Sequence, residues 1–192
     1  MTLLLVGLVM FLGVHSVRIV AEGWRTRTRA RVGEGVWKGA YSVLSVLGLV
    51  LIVWGYGQAR QQPVELWPAP VWGRHAAALL TLLAFVLVTA AYVPGNGIKA
   101  RVGDPMVLGV LLWAVGHLLA NSTAADVLLF GAFGLWAMLD FGAARHRTRA
   151  GRVVQRAGSL GPTLVSVVVG VAAWALFAFW GHGVLIGVRP FG

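Results

Sequence analysis

The sequence has no cysteine among its 192 residues, and only 11% of its residues are Asp, Glu, Lys or Arg. The first absence excludes disulfides, thiolate metal ligands and cysteine nucleophiles. The second separates the chain from ordinary soluble domains, in which about 25% of residues are charged. Acidic residues are the scarcest charges, with 6 against 16 Lys and Arg. Also missing are a nucleophile elbow, a Walker loop, a Rossmann fingerprint and a spaced His metal motif. No internal repeat is evident.

What remains is apolar. Hydrophobic residues make up 58% of the chain, and the mean hydropathy is +0.80. This composition predicts an all-α polytopic membrane helix bundle, one transmembrane domain over residues 1–192, with membrane lipids as its surroundings. Six apolar runs can be drawn, over 2–21, 37–57, 76–93, 105–121, 124–141 and 162–186. About 20 helical residues cross the hydrocarbon core. The third to fifth runs are near the short limit, and the fourth is short enough for a tilted or partly re-entrant helix shielded by its neighbours.

Turn signals punctuate these runs. Pro94-Gly95-Asn96-Gly97 should break the chain after the third. Asp104-Pro105 suits an N-cap followed by proline in the first helical turn. Thr123-Ala124-Ala125-Asp126 fits a capping box opening the fifth, and Pro162 can open the sixth. Trp24, Trp37, Trp67 and Trp72 fall near span ends, as an interfacial belt requires.

Charge sets an orientation. Arg18, the segment Arg25 to Arg31 with Lys38, the pair Lys99 and Arg101, and the run Arg145 to Arg156 place thirteen basic residues on one side. The other side has only Arg60, Arg74 and Arg189. The positive-inside rule puts the Arg-rich side in the cytoplasm of a bacterial inner membrane and both termini outside. The first run is expected to be a span rather than a signal peptide, because it lacks a basic n-region and a clear cleavage site. Arginines that flank apolar spans without a recognition motif suit lipid headgroups, and no nucleic acid is expected as partner.

Polar groups inside the spans are functional candidates, because burying them in hydrocarbon is costly. His15 lies within Phe11-Leu12-Gly13-Val14-His15-Ser16-Val17-Arg18, and shares a helix face with Arg18 and Glu22. It reads either as a cofactor ligand or as an imidazole bonded to a nearby carbonyl, beside a snorkelling Arg18–Glu22 pair. His117 lies within Leu112-Trp113-Ala114-Val115-Gly116-His117-Leu118, sharing a face with Trp113 and Asn121. It reads either as an iron ligand beside a ring that packs on a macrocycle, or as an interhelical polar contact. His75, His117 and His182 all fall near the outer boundary and raise the further idea of a metal site. His146 sits among arginines and reads as surface. Asp126 reads as a cap, and Asp140 as a partner of the Arg cluster.

These residues carry a resemblance. Gly13-Val14-His15-Ser16-Val17-Arg18 resembles the N-terminal motif of the NnrU family. So do Tyr92-Val93-Pro94-Gly95 through Gly109, Leu112-Trp113-Ala114, His117-Leu118-Leu119-Ala120-Asn121, Leu128-Leu129-Phe130-Gly131 and Trp136-Ala137. The match covers most of the first 150 residues and weakens beyond. That family is associated with denitrification and nitric oxide metabolism in some bacteria. It is similar to the plant and cyanobacterial zeta-carotene isomerase, a haem b membrane enzyme that isomerises a cis double bond.

The resemblance implies haem b held by His15 and His117, with Trp113, Asn121 and Arg18 around the cofactor and a hydrophobic polyene as substrate. Two positions depart from the family pattern. Asp104-Pro105-Met106 stands where His-Pro-Met is usual, and Asn121-Ser122 where Asn-Gly is usual. The charge-based orientation also places His15 toward the Arg-rich side and His117 toward the other, whereas two axial nitrogens on one iron sit ~4 Å apart. The competing expectations are a non-enzymatic membrane accessory protein of denitrification and a small-molecule transporter. Sparse charge within the spans ranks the transporter last.

Overall fold

The computed structural model describes residues 1–149 and 157–191. Its helices are α1 (Thr2–Val20), α2 (Glu22–Val32), α3 (Glu34–Ala59), α4 (Val71–Tyr92), α5 (Gly97–Val102), α6 (Pro105–Ala120), α7 (Ala124–Arg149), α8 (Leu160–Leu176) and α9 (His182–Ile186). A π-helical turn, Phe177–Gly181, joins the last two. Among the described residues the only β pairing is two isolated bridges, Glu65 with Thr123 and Asn96 with Ser159. The protein is an all-helical membrane protein.

Five helical stretches are long and apolar enough to cross a bilayer: Thr2–Val20, Glu34–Ala59, Val71–Tyr92, Ala124–Thr148 and Leu160–Ile186. The sixth expected run is α6, with 16 residues. It rises only about 24 Å, against a hydrocarbon core of ~30 Å. Its neighbours shield it, since α6 packs between α4 and α7.

The long helices lie in a row ordered α3, α1, α7, α6, α4, α8, each packed on the next. No Cα atom of α1 comes within 8 Å of one in α6, and α7 packs on both. Glycine closes the seam between α1 and α3. A Cβ on Gly7 would lie 2.6 Å from the Ile52 nitrogen, and one on Gly48 would lie 2.8 Å from the Phe11 nitrogen. Only glycine lets α1 and α3 approach so closely, as in small-residue membrane interfaces. The core centres on Leu4, Leu8, Ile52, Ala114, Leu129 and Phe130.

Several turn signals are present as read. Asn96 caps α5 by accepting from the Lys99 backbone N–H at 2.7 Å, and Gly95 has φ 73°. Asp104 and Pro105 occupy the N-cap and first position of α6, although the Asp104 side chain makes no capping bond. At the start of α7, the Thr123 N–H and hydroxyl donate to Asp126 Oδ2 at 3.1 and 2.6 Å. The Asp126 N–H returns a bond to Thr123 Oγ1 at 3.3 Å.

Other boundaries move. The Arg25 to Arg31 segment, read as a loop, is helix α2. Glu22 in its first turn and Arg29 and Arg31 in its last oppose the helix dipole favourably. Gly33, at φ 86°, then separates it from α3. α4 begins at Val71, so His75 lies in its second turn rather than opening it. α7 runs to Arg149, which carries Arg145, His146 and Arg147 on helix rather than loop. Arg152 and Arg156, counted toward the basic side, fall outside the described residues.

Candidate functional site

The helix backbone constrains both candidate histidines in the same way. His15 Nδ1 lies 2.7 Å from the Phe11 carbonyl, and His117 Nδ1 lies 2.8 Å from the Trp113 carbonyl. A carbonyl only accepts, so each Nδ1 carries the proton and each Nε2 keeps its lone pair. No hydrogen bond to either Nε2 occurs among the described residues. Each imidazole is thus in the tautomer a metal or proton donor can use.

Their surroundings differ. His15 is half-buried. It stacks on Phe11 at 4.2 Å between centroids, and meets Tyr41 of α3 at 5.1 Å and Trp136 of α7 at 6.1 Å. His117 stacks on Phe130 of α7 at 4.5 Å and meets Trp113 at 5.2 Å. Trp136 and Phe130 are six residues apart on α7, which is about 9 Å along its axis. Between the histidines runs an aromatic bridge. Phe11 meets Phe133 at 5.7 Å, and Phe133 meets Trp113 at 5.6 Å. The two rings do not touch, and they do not share one centre in this arrangement.

Arg18 and Asn121 take separate positions. Arg18 approaches Glu22 at 3.9 Å with a half-exposed side chain. Asn121 closes the end of α6, where its Nδ2 donates to the His117 carbonyl at 2.8 Å. Asp140 pairs with Arg147 at 3.7 Å. His75 and His146 are exposed. His182 Nδ1 bonds the Val188 carbonyl at 2.7 Å. Among the described residues no group of three or more His, Asp or Glu side chains is disposed to hold a metal, so the His75, His117, His182 set does not form.

A cavity of about 550 Å³ opens at the Arg-rich end, where α1, α2, α3, α6 and α7 meet. His15 and Arg18 line it, and His117, Trp113 and Asn121 do not. Its basic residues are Arg18, Arg25, Arg29, Lys38 and Arg147. Glu34, Asp104 and Asp140 are its acids. Asp104, at the position where the resemblance leads one to expect histidine, therefore adds a carboxylate to the same cavity that His15 faces. Tyr41 and Trp136 also line it and were not singled out from sequence. One signal was available, since Trp136 and Asp140 are four apart, with Arg147 seven further on, and so lie on one side of α7. Reading that side required knowing that the helix continues past Phe141.

At the opposite end a second polar group is sealed in the core. Asp126 is 4% exposed, and its Oδ1 accepts from the Tyr56 hydroxyl at 2.5 Å. Tyr56 reaches it from α3, beside Phe130.

The model of the NnrU protein family matches residues 3–190. The chain belongs to the NnrU family. No curated protein and no solved structure matches it. In this NnrU member Gly13–Arg18 lies on α1 and Leu112–Ala120 on α6, on either side of α7.

Proposed function

We propose that this NnrU family membrane protein is a haem b protein with His15 and His117 as its axial donors. The observation that carries the reading is the paired Nδ1-to-carbonyl bond, which leaves a basic Nε2 on each ring. The donor chemistry of the residues fits the cofactor, and aromatic side chains beside each imidazole suit a flat macrocycle. Phe11, Phe133 and Trp113 stand between the two imidazoles, so joint ligation requires α1 and α6 to shift relative to one another. When bound, haem would supply an iron able to take protein nitrogens or a small exogenous ligand.

The chain's own part is to fix the tautomers, exclude water from His117 and leave His15 open to the cavity. By likeness to zeta-carotene isomerase, the reaction is isomerisation of a hydrophobic polyene, or a related step in nitric oxide metabolism and denitrification. The row of helices suits such an apolar molecule, since among the described residues no second layer of long helices packs on α1, α7 and α6. The Arg-rich end lies in the cytoplasm of a bacterial inner membrane on this reading.

A visible spectrum of the detergent-purified, haem-supplemented protein tests the proposal. A Soret band that shifts in both His15→Ala and His117→Ala is expected. No Soret band, or one unchanged in both variants, overturns it. Orientation has its own test in a chain without native cysteine. Thr28→Cys should label only from the cytoplasmic side and Gln61→Cys only from outside. The reverse pattern overturns the orientation.

A further inference from the structure

The Arg-rich cavity holds more cation than its carboxylates use. Glu34 is shared by Arg29 at 2.9 Å and Lys38 at 2.8 Å. Asp140 is taken by Arg147. Arg25 lines the cavity and makes no ion pair among the described residues. An independent observation concerns a neutral group. Trp136 Nε1, in the cavity wall, is the one buried side-chain nitrogen or oxygen without a hydrogen-bond partner among the described residues. An indole N–H only donates, and a buried unpaired donor is costly. Asp104 is the remaining cavity carboxylate and has no ion pair among the described residues, so five cations face three acids and the indole N–H is still without an acceptor.

Depth orders the lining. Arg25 and Arg29 belong to α2, beyond the end of α1, while Val14 lies well inside that end and Met106 and Val107 sit in the first turn of α6. A charged group at the mouth and an apolar continuation inside suit an amphiphile at headgroup level. Several cations from four helices suit a phosphate, whose oxygens accept from several donors at once.

We propose that this cavity binds a phosphate group at its mouth, with Arg25 and the Trp136 indole N–H as donors, supplied by an anionic lipid headgroup or by a soluble phosphate. The proposal goes beyond the haem reading and holds whether or not His15 ligates iron.

The full chain in detergent is titrated with dihexanoyl phosphatidylglycerol, with dihexanoylglycerol, which lacks the phosphate, and with inorganic phosphate. A ligand that binds only the folded state raises Tm. A saturable rise with phosphatidylglycerol and none with dihexanoylglycerol is expected. Trp136→Phe and Arg25→Gln should each raise the half-saturating concentration about tenfold, while Arg189→Gln at the opposite end leaves it unchanged. Saturation by inorganic phosphate at the same concentrations supports the site and identifies soluble phosphate as its source. No saturable rise with either phosphate compound, an equal rise with dihexanoylglycerol, or an unaltered midpoint in Arg25→Gln overturns the proposal. Arg25→Gln carries the test alone if Trp136→Phe fails to fold.

Discussion

At His15 and at His117 the same bond, from Nδ1 to the carbonyl four residues earlier, is set in two unlike neighbourhoods. Around His15 the acids and bases line an open cavity, where Glu34 is held closely by Arg29 and Lys38 but Asp140 and Arg147 stand 3.7 Å apart. Around His117 the polar groups are few and tightly bonded, with Asp126 joined to both Tyr56 and Thr123 within the apolar core. The helix supplies the tautomer in either case, and tertiary packing decides what the ring can reach. One end is arranged for access and the other for exclusion.

Substitutions at the two acids separate the ends most strongly. Asp126→Ala strands the Tyr56 hydroxyl and the Thr123 donors in the core, and should destabilise the protein by about 3 kcal/mol, measured by thermal unfolding in detergent. Asp140→Ala leaves the buried Arg147 without its partner and should cost about 1–2 kcal/mol, because the pair is already 3.7 Å apart and the guanidinium lies in the cavity wall. Equal losses would erase the contrast. Tyr56→Phe removes one of the bonds to Asp126 and should cost about 1 kcal/mol in the same measurement.

Chemical access sharpens the same contrast at smaller scale. Diethyl pyrocarbonate should modify His15 before His117, followed residue by residue in mass spectra of digested protein. Faster reaction at His117 would mean that the closed end opens in solution. The smallest effect belongs to the Arg18–Glu22 pair. At 3.9 Å and half-exposed, its loss in Glu22→Gln should change stability by no more than about 0.5 kcal/mol.

Local signals were legible wherever one segment carries the whole cause. Hydropathy located the long spans. The Thr123 and Asp126 capping box and the Asp104-Pro105 start of α6 were readable because both partners lie within four residues. Charge counting already set His15 and His117 at different depths, and the structure keeps them apart on α7. Helix α2 was hidden because hydropathy reports burial, and an Arg-rich helix at a membrane surface buries little. The extension of α7 past Phe141 was hidden for the same reason. The cavity was out of reach, since Tyr41, Trp136 and Arg25 meet only through the packing of α1, α2, α3 and α7. The Tyr56 bond to Asp126 spans 70 residues and has no local trace.

The glycine seams carry a mechanical consequence. With Gly7 and Gly48 pressed against opposing backbone, α1 and α3 behave as a single plank. Gly109 and Gly116 similarly press α6 onto α4, making a second. Such planks resist bending but not sliding, and both bear on α7 as on a common rail. Relative movement of the two imidazoles is therefore a shear of paired helices along that rail, and each histidine carries its whole plank with it.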